Sequence, residues 1–243
     1  MLFECSGSEK IKRPVPETVK CPSCAEELEI WSDETQVRCP ACQAVYSRTI
    51  TATCLDWCKF AQDCVGKARF SNYSKNKAML LKEKLFKALE EYFGSDIKRI
   101  KHAKKVLAFS EELLIKEGGD WNIVVPASIL HDVGIKPAEQ AYGSSAGHLQ
   151  EKLGPEIARQ MLKPYGVKKE DIEQICQIIG HHHSPGALDS RNFEIVCDAD
   201  WLVNLNEEVD TKDREKTAAI IEKVFVTKSA KEIAKKIYLK ISQ

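Results

Sequence analysis

Six histidines fall between residues 102 and 183 of a 243-residue chain, and none lies elsewhere: His102, His131, His148, His181, His182 and His183. Unrelated surface histidines would scatter, so the clustering points to a metal site. At its centre stands Ile129-Leu130-His131-Asp132-Val133-Gly134. Adjacent residues of a helix do not face one direction, so a His-Asp pair serves one ion best where a helix ends and its last turn loosens. Gly134 permits such an ending. Further on, Phe193-Glu194-Ile195-Val196-Cys197-Asp198-Ala199-Asp200 sets the carboxylates of Asp198 and Asp200 two apart near an apolar run. An acidic residue there is costly unless it binds a cation or a hydrogen-bond donor. Asp200 is therefore a ligand candidate and Asp198 a candidate orienter. Imidazole and carboxylate together suit Mn, Fe, Co, Ni or Zn better than Ca. Such an ion lowers the pKa of bound water and makes hydroxide available near neutral pH.

The cysteines form a second pattern. Eight of the ten lie within the first 64 residues, leaving only Cys176 and Cys197 behind, which marks a domain boundary near residues 70–78. Cys21-Pro22-Ser23-Cys24 and Cys39-Pro40-Ala41-Cys42 are two C-x-x-C knuckles separated by fourteen residues. Four thiolates paired this way suit tetrahedral zinc with no open position, a structural site. Leu28-Glu29-Ile30-Trp31 and Gln36-Val37-Arg38 alternate as short strands around a Ser32-Asp33-Glu34 turn, so the expected element is a zinc ribbon. Ten Lys and Arg balance ten Asp and Glu over residues 1–75, without the basic excess of a nucleic-acid module. A stabilising or protein-binding ribbon is the expectation. Cys54, Cys58 and Cys64 follow at intervals of four and six. They fit a further zinc, three corners of an iron-sulfur cluster with Cys5 as the remaining candidate, or buried thiols beside Trp57 and Phe60.

The elements that must position these residues are helical. Ser74–Phe93 repeats apolar residues at three and four with Lys and Glu between, and ends at Gly94. Asp96 caps the next helix, which carries His102 beside Ala103 and closes at Gly118-Gly119. Trp121–Leu130 is apolar enough for a buried helix that delivers His131 and Asp132 to the interior, with Pro126 tolerated in a first turn. Ala138–Pro155 is rich in Gly, Ser and Ala and reads as a lid or connector, with Pro155 opening the next helix. Another helix from Lys169 to Gly180 ends at His181-His182-His183. Lys212–Val226 and Ser229–Ile241 read as two covering helices.

At 43% hydrophobic and 30% charged residues, with zero formal net charge, the chain has the composition of an ordinary globular protein. There is no overall field to draw it to nucleic acid or anionic lipid. The absence of a long apolar run and of a secretory leader gives the expectation of a cytoplasmic protein with no membrane partner.

The order His102, His131-Asp132, Asp200, each within a helical pattern, resembles the HD superfamily of metal-dependent phosphohydrolases over residues 76–220. The resemblance implies a mainly α protein. An all-α HD bundle over 76–243 would follow a small β zinc ribbon at 1–50 and a cysteine-containing linker at 51–75. It implies one or two transition-metal ions held by His102, His131, Asp132 and Asp200, with Asp132 bridging when two are present. In two-metal members, such as the HD-GYP phosphodiesterases and the HD-type dinucleoside tetraphosphate hydrolases, further histidines follow the pair. The late ones match His181 and His182. The middle one falls on Gln150, where Glu151 or His148 would have to substitute. No GYP-like tripeptide follows His183, which argues against a cyclic-di-GMP enzyme. HDVGIK, YGSSAG, QEKLGP, HHHSP and DADWLVNL are together similar to a group of bacterial and archaeal HD proteins, some with N-terminal cysteine motifs.

The implied activity is hydrolysis of a phosphate ester or anhydride in a small, nucleotide-like molecule. Asp132, Lys136 and His182 are the catalytic candidates, Lys136 as a neutraliser of phosphate charge or simply a solvated lysine. Two alternatives stand beside this one: an HD-fold diiron oxygenase, and a nucleotide-sensing or partner-binding module built on a structural ribbon.

Overall fold

Two antiparallel hairpins carry the four ribbon cysteines. The computed structural model describes residues 13–32, 34, 36–47, 54–211 and 213–240. Strands β1 (Pro16–Lys20) and β2 (Glu27–Trp31) form one hairpin, and β3 (Gln36–Arg38) and β4 (Val45–Ser47) the other. Each C-x-x-C knuckle is a hairpin tip. The 28–31 and 36–38 strands therefore each pair with a strand outside the expected turn, because the knuckle closes the hairpin; Asp33 and Cys5 lie outside the described residues. The two tips repeat one hydrogen-bond pattern: Cys21 N–H donates to Glu26 O and Ala25 N–H to Cys21 O, as Cys39 does to Ala44 and Gln43 to Cys39. Ala25 and Gln43 both take a left-handed conformation, with φ of 61° and 62°. Leu28 is buried with Cys21 and Cys39 in a miniature core lined by Val19, Val37, Ala44 and Tyr46. So small a core needs a metal to hold it.

The chain divides into two units, residues 1–80 and 81–243. In the first, a short 3-10 turn at Cys54–Asp56 precedes helix α1 (Ala61–Val65). Asp56 accepts from the Tyr73 hydroxyl at 2.9 Å and pairs with Lys77. Cys54, Cys58 and Cys64 do not converge on a common ligand group among the described residues. Helix α2 (Lys67–Phe93) begins seven residues before the expected Ser74 and runs from the first unit into the second.

The second unit is helical: α3 (Ile97–Glu117), α4 (Trp121–Leu130), a 3-10 turn His131–Gly134, α5 (Ile135–Tyr142), α6 (Gly147–Leu162), α7 (Lys169–Ile179), α8 (Arg191–Glu208), α9 (Arg214–Val224) and α10 (Lys228–Tyr238). Asp96 caps α3 by accepting from Arg99 N–H, and Asp120 caps α4 by accepting from Asn122 N–H at 2.9 Å. Helix α3 packs on α4 and α8, α4 on α7 and α8, and α6 on α7 and the His131–Gly134 turn. Nine of the ten residues of α4 are buried, so this helix is the spine of the core. Pro126 sits in its second turn instead of its first and offers no N–H to the Asn122 carbonyl. Among the described residues no helix is long and apolar enough to cross a membrane.

Two expectations change here. The Gly-rich segment is not a long loop: α5 and α6 leave only residues 143–146 between them, and Pro155 lies inside α6. Gly134 is not a helix terminator either, since its φ of −68° is helical and the 3-10 turn runs straight into α5. Its lack of a side chain serves close approach. A Cβ at Gly134 would overlap the carbonyl oxygen of Gln150 and stand 2.8 Å from its Cα, and one at Gly154 would stand 2.8 Å from Ile179 Cγ2. Backbone thus meets backbone behind the His-Asp pair.

Gly134→Ala is expected to destabilise the helical unit by about 3 kcal/mol, as overpacking against rigid backbone. Thermal melting followed by circular dichroism measures this, and a variant as stable as wild type would contradict the close-approach argument.

Candidate metal centres

The four ligand candidates are delivered by three elements. His102 sits on α3, His131 and Asp132 on the 3-10 turn after α4, and Asp200 on α8. His102 Nε2 lies 3.1 Å from His131 Nε2 and 3.0 Å from Asp200 Oδ1. His131 Nε2 lies 3.5 Å from Asp200 Oδ1 and 3.4 Å from Asp132 Oδ2, which is 3.5 Å from His102 Nε2. Ligands about 2.1 Å from one ion stand ~3.0 Å apart in an octahedron and ~3.4 Å apart in a tetrahedron, so these separations match the edges of a coordination shell.

The hydrogen bonds behind the ligands fix their orientation. His131 Nδ1 donates to Ser128 O at 2.9 Å, which leaves Nε2 with its lone pair turned inward. Asn204 Nδ2, one helical turn beyond Asp200, donates to Asp200 Oδ1 at 2.9 Å. Tyr92 donates its hydroxyl to Val133 O at 2.9 Å and so braces the 3-10 turn.

Around Asp132 a second group assembles. Its Oδ2 belongs to the His102–His131 side, whereas its Oδ1 lies 3.7 Å from His182 Nε2. Asp132, His182 and His183 bring their ligand atoms within 4.8 Å of one another, as do His102, His131 and Asp200. His182 is buried and donates from Nδ1 to Ile179 O at 2.8 Å. Its Nε2 is one of two buried side-chain polar atoms without a hydrogen-bond partner among the described residues, the other being Gln150 Oε1. A buried lone pair left in that state is costly unless an ion takes it.

The electrostatics agree. Burial alone would push the His131 imidazolium down, but Asp132 and Asp200 outweigh it and lift His131 to about 9. Burial likewise opposes the Asp132 charge, yet His131 and His182 hold the carboxyl down at about 2. Asp200 is held well below the usual carboxylate range against its burial by the hydrogen bonds from His102 and His131. One buried and one partly buried carboxylate thus demand positive charge at this point, from a proton or from a cation.

Some sequence expectations are not met by the geometry. His181, expected as a ligand, is exposed, donates from Nδ1 to Gln177 O at 2.8 Å and joins neither group; the turn after α7 presents His182 and His183 instead. Glu151, also expected as a ligand, accepts from His183 N–H at 3.0 Å and Ser184 Oγ at 3.1 Å, so it clamps the turn that carries the histidines. Lys136, expected at a phosphate, donates to Tyr92 O at 2.6 Å and lies over the Tyr92 ring. Asp198 does not orient Asp200; it accepts from Val226 and Thr227 N–H ahead of α10. His148 is exposed and joins neither group. Among the residues that sequence reasoning left out of the site, Asn204 carries a readable signal, its i,i+4 spacing from Asp200. His183, which the sequence offers as a proton relay or a simply exposed residue, is brought into the second group.

The four-cysteine group has different chemistry. Cys21 and Cys42 sulfurs are 3.6 Å apart, as are those of Cys24 and Cys39. A zinc tetrahedron with bonds of about 2.3 Å has edges of ~3.8 Å, so the four thiols fit one closed shell. A backbone hydrogen bond at Ser23 lowers the Cys21 thiol to about 7 against its desolvation.

A helical bundle that turns two imidazoles and two carboxylates onto one point is a divalent-metal domain. Residues 99–205 match the family model of the HD domain, and all four of these ligand candidates fall inside that span. The helical unit of the chain therefore carries an HD domain, the domain of a superfamily of metal-dependent hydrolases that also has non-hydrolytic members. No curated protein and no solved structure matches the chain.

Two outcomes follow. A raised His131 pKa means that the metal-free site carries a proton below pH about 9 that an ordinary histidine gives up near 6.5. This proton stabilises the metal-free fold below pH 6.5, and its contribution is lost as pH rises to 9. A metal must displace it, so between pH 7 and 8 Mn(II) binding should release protons and should tighten as pH rises. Calorimetry in buffers of different ionisation enthalpy measures the release; binding without it would contradict the assignment. Asn204→Ala should weaken Mn(II) binding by about 10- to 100-fold in the same titration, as loss of a ligand's hydrogen-bond support does.

Proposed function

We propose that this protein is a metal-dependent phosphohydrolase acting on a small phosphorylated molecule of nucleotide type. The observation that carries the reading is the division of Asp132, with Oδ2 toward His102 and His131 and Oδ1 toward His182. One carboxylate serving two groups of ligand atoms suits two adjacent ions. A divalent ion held there supplies Lewis acidity and lowers the pKa of water to near neutrality. The chain's own part is to keep the ligand atoms ready. Ser128 O holds the His131 tautomer, Asn204 fixes one Asp200 oxygen, and burial keeps competing solvent off His131 and His182. His102 and Asp132 are only partly buried and His183 is exposed, which gives a substrate a side of approach.

In this reading the ribbon is a structural zinc module that also offers a surface to a protein partner. Its four thiolates require a reducing compartment, which supports a cytoplasmic location.

The test is phosphate release from a panel of nucleotides, cyclic dinucleotides and phosphate monoesters, with Mn, Co, Ni and Fe(II) added in turn. Wild type is expected to turn over at least one class of substrate, and Asp132→Ala to fall to background. Equal release by both proteins, or silence from a wild type shown to hold metal, would overturn the hydrolase.

A further inference from the structure

Pro137 stands four residues after Val133, where an α-helix would bring an N–H to the Val133 carbonyl. Proline has no N–H to bring. The residue next to Asp132 therefore lacks its helical donor, and the donor comes from another helix. The Tyr92 hydroxyl, in the last turn of α2, reaches Val133 O at 2.9 Å. Burial pushes the Tyr92 phenol up, so the hydroxyl keeps its proton and stays a donor. The exchange is reciprocal. Tyr92 O lies among the last carbonyls of α2, where Asp96 N–H donates to Phe93 O at 3.2 Å. Lys136, the residue before Pro137, donates to Tyr92 O at 2.6 Å and sets its Nζ 4.9 Å from the centre of the Tyr92 ring. On the other flank, Gly134 is pressed against the backbone of Gln150. The Val133-Gly134 peptide is thus held from two sides, by α2 and by α6.

We propose that Tyr92 is a positioning residue for Asp132, its hydroxyl standing in for the N–H that Pro137 cannot give and so fixing the turn that aims His131 and Asp132 at a metal. The inference rests on the metal-centre reading of the proposed function. It adds a residue that touches neither metal nor substrate and acts through the Val133 carbonyl. Ligands must be held within about 0.5 Å of their working geometry, and a turn free to relax at Val133 would not hold Asp132 so closely. Lys136 then serves the site by orienting Tyr92, a role other than contact with a phosphate.

The test is a titration of the full chain with Mn(II) after removal of any metal at the HD site, with free Mn(II) read by electron paramagnetic resonance and thermal melting followed in parallel. Tyr92→Phe keeps the ring and removes only the donor. It should weaken Mn(II) binding by about tenfold, the low end of what lost support of a metal site costs. Adding Pro137→Ala to Tyr92→Phe returns an N–H at the helical position and should recover most of that affinity, while Pro137→Ala alone should bind as wild type does. Unchanged affinity in Tyr92→Phe, with or without a lower melting temperature, would overturn the proposal and make the hydroxyl a packing contact. So would a loss that Pro137→Ala fails to recover. A wild type that binds no Mn(II) would overturn the metal-centre reading and this inference with it. The expected pattern in a chain that releases no phosphate would support the role of Tyr92 and overturn the hydrolase alone.

Discussion

Two imidazole nitrogens 3.1 Å apart, His102 Nε2 and His131 Nε2, set the condition that the rest of the helical unit meets. Two lone pairs repel at that distance and two N–H groups clash, so a proton or a cation has to lie between the rings. Asp132 and Asp200 add negative charge to the same small, largely buried volume. In the metal-free chain the answer is a proton kept on His131 at unusually high pH. A divalent ion answers the same demand with twice the charge. The site is thus unfavourable by itself, and it persists because α3, the end of α4 and α8 are locked by the core on either side of it.

That lock is built from backbone and not only from large side chains. Gly134 and Gly154 bring the turn after α4, helix α6 and Ile179 of α7 closer than any Cβ would allow. Polar side chains then clamp the turns left between helices. Glu151 takes the N–H of His183, Asp198 takes those of Val226 and Thr227, and Lys136 donates to one carbonyl in the last turn of α2, Tyr92 O. Turns that carry ligands expose unpaired backbone groups, and the chain satisfies them with nearby charged residues. These are the same residue types that would bind a metal or a phosphate, which is why they invite a functional reading from sequence.

The legible part of the sequence was therefore what depends on residue type and order. The helical periodicity of α2 and α3, the cap at Asp96, the two cysteine knuckles and the set His102, His131, Asp132 and Asp200 are all visible without coordinates. What was hidden depends on direction. Three successive histidines differ by 100° steps on a turn, and only the fold decides that His182 and His183 face Asp132 while His181 faces solvent. Glycines carry the same ambiguity. The run through Gly143, Gly147 and Gly154 has the composition of a loop, and two of its three glycines turned out to be helix surface pressed against neighbours.

The two metal groups of the chain differ in a way that bears on what each can do. Four cysteine thiols, with two sulfur pairs 3.6 Å apart, fit one closed shell of soft donors that suits zinc and leaves no place for a substrate. The HD group has nitrogen and oxygen donors from four separate elements and a carboxylate whose two oxygens face different partners. Harder donors accept a wider range of ions, and ligands drawn from separate elements need not fill every coordination position. Donor softness alone then distinguishes the ions that the two groups suit.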